Sequence, residues 1–115
     1  MAIDILQSLD MIEAMENFVA RKRPPAHIRE QFDIGYNIDD QSIIIVEIRP
    51  KFKRPDEKEE SPVAKATFVK TKNHWKVFWM RADLKWYSYP PKPTVKTVKE
   101  FCKLVVEDKD HCFWG

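Results

Sequence analysis

Glycine is almost missing from this chain. Only Gly35 and Gly115 occur in 115 residues, so no glycine-rich loop is present to cradle a phosphate with backbone N–H groups. Cysteine is as scarce. Cys102 and Cys112 stand much farther apart than the two to about four residues that structural zinc favours. Neither sign of charge dominates: 20 basic and 18 acidic residues leave a net charge of +2. That balance is too even to announce nucleic acid by itself. No apolar run approaches membrane-spanning length, which predicts no membrane partner. The opening MAIDILQSLD is acidic and lacks the basic start and small-residue cleavage site of a signal peptide. A cytoplasmic protein with two reduced thiols is the expectation.

What is present is a balanced globular composition, 43% hydrophobic and 33% charged. At this length it predicts a single domain over 1–115. The stretch His74–Tyr89 organises the chain, because it holds Trp75, Trp79, Trp86, Tyr87 and Tyr89. Aromatics bury the most area per residue and dominate a small core. Trp75, Val77, Trp79 and Arg81 alternate with Lys76, Phe78 and Met80, a period of two that predicts a strand. The first set forms a core face. The second set is mixed and predicts a half-covered face.

The remaining elements follow in order. Met11, Ile12, Met15, Phe18 and Val19 recur at helical spacing, predicting a helix from about Ser8 to Lys22 that Pro24 and Pro25 stop. Phe32–Ile38 alternates as a strand, Asp39–Gln41 supplies turn residues, and the isoleucine-rich Ser42–Lys51 reads as a second strand. If Ile38 pairs with Ile43, then Ile34 lies opposite Glu47. Residues from about 51 to 62, with mixed charges and three prolines counted from Pro50, predict an exposed loop. Val63–Thr71 and the His74 strand form a second hairpin across a two-residue Lys72-Asn73 turn, placing Ala66 opposite Trp79. Pro90, Pro91 and Pro93 stiffen the next connection. Thr97 and Glu100 match a capping box and start a helix striped by Val98, Phe101, Cys102 and Val105. The predicted class is α+β. Two hairpins build an antiparallel sheet of four strands, or five if the end of the chain adds one, and the N-terminal and C-terminal helices pack on one face.

Candidate functional residues fall into four groups. Lys65, Lys76 and Phe78 on the half-covered face, with Arg81, Asp83, Lys85, Trp86, Tyr87 and Tyr89 nearby, suit a binding surface. Aromatics stack bases and cations follow phosphates, so the partner would be single-stranded nucleic acid. The same apolar face rimmed by charge would suit a protein partner or a homodimer. Glu47 sits among apolar neighbours and needs an arginine, Arg49 or Arg81, either as a structural ion pair or as part of a polar pocket with Asp83 and Lys85. The third group is an alternative enzyme: Asp33 or Asp40, Glu47, and the Asp83-Leu84-Lys85 triplet have the residue types of a metal-dependent nuclease, carboxylates for Mg²⁺ and a lysine for the attacking water. Against it, acid-x-base triplets are common by chance and arginine does not deprotonate. A metal site on Cys102, Cys112, His111 and His74 or His27 competes with a plain core thiol at Cys102. The reading is therefore an interaction module, with no cofactor and no metal.

Long motifs run through the chain: Arg23-Pro24-Pro25 with His27-Ile28-Arg29, Glu47-Ile48-Arg49-Pro50, Pro62 to Thr67, Trp75 through Trp86, Tyr89 with Pro91, and Phe113-Trp114-Gly115. Together they resemble a family of small bacterial proteins known only as a domain of unknown function. The resemblance implies a bacterial or phage source and one domain, and it implies no activity.

Overall fold

The computed structural model describes residues 5–114, so Gly115 of the last motif lies outside them. Helix α1 spans Ile5–Lys22, strand β1 Asp33–Asp39, β2 Ser42–Pro50, β3 Lys58–Val69, β4 His74–Met80, β5 Trp86–Ser88 and β6 Thr94–Val95, and helix α2 spans Val98–Glu107. The strands form one antiparallel sheet in the order β1-β2-β3-β4-β5, with β6 also paired to β4. This is the expected α+β class, with six strands rather than four or five.

The extra strands come from the proline-rich segment, not from the end of the chain. Residues 86–95 run back along β4. Tyr89 N–H donates to the Val77 carbonyl and Val77 N–H donates to the Pro93 carbonyl, both at 2.9 Å. Prolines 90, 91 and 93 have no N–H to offer, so the run is broken into two short strands at either end of β4.

The first hairpin has the anticipated register, with Ile38 opposite Ile43 and Ile34 opposite Glu47. The second connection departs from expectation. The charged loop is confined to residues 51–57, with Phe52 95% exposed in it. Residues 58–62 instead pair with β2, from Pro50 opposite Lys58 to Val46 opposite Pro62. A proline inside a strand is tolerated because a bulge sits beside it. Ile45 pairs with Ala64 and Val46 with Pro62, which leaves Val63 as the extra residue. The third connection also differs. A 3-10 turn at Lys70–Lys72 ending on Asn73, at φ 50, replaces the two-residue turn. Ala64 therefore faces Trp79, Ala66 faces Val77 and Phe68 faces Trp75. The slip is two residues, which changes neighbours and preserves which side chains share a face.

Both helices cover one side of this sheet. Met11, Met15 and Phe18 of α1, and Val98, Phe101, Cys102 and Val105 of α2, pack with Ile34, Ile43, Ile45, Ala64, Ala66, Phe68, Trp75 and Val77 in one core. Trp75 is 5% exposed. Trp79 packs against this core but remains half-buried, so only one of the two expected tryptophans lies fully inside. Helix α2 opens on the Thr97 hydroxyl, which accepts from Glu100 N–H at 3.2 Å. It closes on Asp108 in the left-handed region at φ 39. The buried Asp108 carboxylate then accepts Phe113 N–H at 3.0 Å and Trp114 N–H at 2.9 Å, pinning the apolar end to the body. Trp114 completes the clasp by donating its indole N–H to the Val105 carbonyl at 2.8 Å.

Candidate functional site

Strand alternation sends every second side chain to the side opposite both helices. Lys65, Thr67, Lys76, Phe78, Met80 and Trp86 share this side, since Lys65 pairs with Phe78, Thr67 with Lys76 and Met80 with Trp86. Lys76 is exposed and the others are half-buried. The Lys65 ammonium lies 5.2 Å from the Phe78 ring centre and 5.3 Å from that of Trp86, within cation–π range of both. Ser42 and Thr67 share a hydroxyl hydrogen bond of 2.8 Å, and Asn37 Nδ2 donates to Glu60 at 2.9 Å. Gly35 also lies on this face. A Cβ there would sit 3.2 Å from Ile48 Cδ1, so its absence lets Ile48 lie close over β1. Ile44 and Ile48 extend the face as half-buried apolar floor. Nothing in the sequence pointed to them, because β2 reads as apolar on both sides.

A second cation–aromatic group stands at the β4–β5 turn, where Trp79 and Tyr87 pair on the helix side of the sheet. The Arg81 guanidinium is 5.6 Å from the Trp79 ring centre and 4.8 Å from that of Tyr87. Tyr87 hydroxyl donates to Asp83 at 2.5 Å, and Lys85 N–H donates to the same carboxylate at 3.1 Å. The hydrogen bond from Tyr87 holds the Asp83 carboxyl below its ordinary range and raises the tyrosine hydroxyl above its own. Leu84 takes the left-handed conformation at φ 63 to close this turn. Asp83 therefore braces a turn, and the exposed Arg81 is held against Trp79 and Tyr87, on the side of the sheet away from Trp86.

Other predicted residues lie elsewhere. Tyr89 is 1% exposed and stacks on Phe113 at 4.7 Å, so it belongs to the core rather than to a binding surface. Glu47 pairs with Arg49 at 3.4 Å, and Arg49 lies 4.6 Å from the Phe32 ring centre. Arg81 takes no part in that pair, because its guanidinium is engaged by two rings two strands away. The nuclease constellation does not assemble. Arg23 grips Asp33 through two hydrogen bonds of 3.2 and 2.6 Å. Asp40 sits in the β1–β2 turn at φ 54, while Glu47 and Asp83 hold the partners just named. Among the described residues no three His, Cys, Asp or Glu side chains group in a metal-binding arrangement. Cys102 is buried with its sulfur 3.7 Å from Met15 Sδ, and burial pushes its thiol up to about 11. Such a thiol is a packing group and a poor nucleophile.

The Arg23-Pro24-Pro25 motif with Arg29 is also structural. Arg23 ties the end of α1 to β1 through Asp33, and Arg29 Nε donates to the Pro24 carbonyl at 2.9 Å. These contacts set the turn between α1 and the sheet.

The chain belongs to the family described as Domain of unknown function (DUF3024), which matches residues 4–115. No curated protein and no solved structure matches it. Among the described residues, no helix is long and apolar enough to cross a membrane.

Proposed function

We propose, from a family that assigns no activity, that this protein is a non-enzymatic module that binds single-stranded nucleic acid on the open face of its sheet. The observation that carries the reading is the Lys65 ammonium held between Phe78 and Trp86 on the face opposite both helices. Two ring faces with a cation between them, next to the exposed Lys76, combine the two contacts that a single strand needs. Bases stack on rings, and phosphates follow cations. Arg81 lies on the helix side of the sheet against Trp79 and Tyr87 and is not part of this surface. The Lys65 ammonium lies over both rings in the free protein, and a base stacking on either ring would release it to a phosphate.

Fluorescence anisotropy with labelled oligo(dT) and oligo(U) tests this. Affinity is expected to fall as salt rises, by the release of counterions. Trp86→Ala and Phe78→Ala are each expected to cost about 1–3 kcal/mol of binding. Lys65→Glu and Lys76→Glu are expected to weaken binding and flatten the salt dependence. Absence of binding at low salt overturns the reading. A concentration-dependent dimer that Phe78→Ala disrupts would assign the same face to a second copy instead.

A further inference from the structure

A second surface lies on the far side of the molecule from that face. Helices α1 and α2 meet along a groove of about 600 Å³. Its floor is apolar, with Phe18 from α1 and Cys102 and Val106 from α2, and Val106 is 49% exposed. Its rims are cationic on both sides, with Arg21 on the α1 wall and Lys99 and Lys103 on the α2 wall. Glu107 is the one carboxylate among the described lining residues, and its contact with Lys103 is long, at 4.0 Å. Burying Val106 is favourable, but crowding cations on both walls of one apolar groove without matching carboxylates is not. Both penalties are relieved by one kind of occupant.

We propose that this groove docks an acidic amphipathic helix from a partner protein. The lining runs from Ala14 to Lys22 on one wall and from Lys99 to Glu107 on the other, roughly 12 Å each at about 1.5 Å per residue. That length takes the two or three apolar side chains that a helix presents over about two turns. A small anion with a single apolar tail would satisfy one rim only. A helix with carboxylates on both flanks of its apolar ridge answers Arg21 on one side and Lys99 and Lys103 on the other. Charge on both rims would set orientation and speed encounter, while the apolar ridge supplies the burial. The site shares no residue with the open sheet face, so the two surfaces are independent.

The test is fluorescence polarisation with a panel of labelled helical peptides. Each carries leucines at i, i+3 or i+4, and i+7, flanked by glutamates, beside a counterpart with lysine at every glutamate. The acidic peptides are expected to bind at least about tenfold more tightly than their basic counterparts. Val106→Glu and Lys103→Glu, both at exposed positions, are each expected to weaken acidic-peptide binding roughly tenfold while the melting temperature and oligonucleotide binding stay unchanged. A panel with no preference for acidic flanks overturns the proposal. So does binding that ignores both substitutions in folded protein.

Discussion

The two faces of the sheet are made by the same strands and meet different fates. In β4, Trp75 and Val77 are 5% and 0% exposed, while Lys76 between them is exposed and Phe78 beyond them is half-buried. All four residue types suit an extended backbone or tolerate it. The covered face is closed by α1 and α2, so its side chains are small where they oppose large ones, as Ala64 does Trp79 and Ala66 does Val77. The open face has no described helix above it and solves the same problem within its own plane. Lys65 lays its stem over the sheet and places its ammonium between two rings, shielding Phe78 and Trp86 without removing them from reach. One face stores stability, and the other stores contact surface that a partner can claim.

Substitutions break or sharpen that contrast in a definite order. Trp75→Ala should be the most damaging, at roughly 3–5 kcal/mol, because it opens a cavity under α1. Urea denaturation reads it. If Phe78→Ala costs as much, the open face is as much a core as the covered one and the contrast fails.

Asp108→Ala comes next. It strands the N–H groups of Phe113 and Trp114, which are otherwise bonded to one buried carboxylate. A loss of about 1–3 kcal/mol is expected, with red-shifted Trp114 emission as the end of the chain leaves α2. Unchanged emission would mean that Phe113 and the Trp114 indole hold the segment without the aspartate.

A pH dependence should follow at the seam between α1 and β1. The hydrogen bonds from Arg23 hold the Asp33 carboxyl below its ordinary value of 3.8. A carboxylate whose folded value is depressed stabilises the fold above its unfolded value and loses that contribution as pH falls through the folded one. Asp33→Asn should therefore lower the melting temperature at neutral pH and reduce the further loss between neutral pH and pH about 3. Parallel melting curves for wild type and variant across that range would show that the pair contributes nothing.

Lys65→Gln should have the smallest effect on stability, within about 1 kcal/mol, since a half-exposed cation–π contact is worth little more. Its effect should instead appear in Trp86 fluorescence and in oligonucleotide affinity. A large stability loss here would make the ring–ammonium group a structural rivet and remove the main support for a nucleic-acid surface.

Much of this architecture was legible in neighbouring residues. The period of two in β1 and β4 sorted side chains to the right faces. The β1–β2 register followed from the Asp39–Gln41 turn, and the Thr97–Glu100 cap announced α2. Each of those signals is local, because φ/ψ preference and capping depend on residues a few positions apart. The candidate site was half legible for the same reason. Lys65, Lys76 and Phe78 share a face by parity, whereas Trp86 joins them only through the β4–β5 pairing and Tyr89 was misplaced because nothing nearby foretells its contact with Phe113.

What the sequence by itself determined, then, was which side of the backbone each residue occupies and where helices start. Tertiary structure decided who meets whom. It selected the bulge at Val63 beside Pro62, the four-residue turn that slides β3 two places along β4, and the pairing of residues 86–95 with β4. It also sent Arg81 to Trp79 and Tyr87 instead of Glu47, and Asp108 to the chain's apolar end. The physical reason is that these choices compare the energies of alternative partners far apart in the chain. A slip of two residues leaves every local preference satisfied, so only the packing of Trp75 and Trp79 against the helices and alanines can choose between registers.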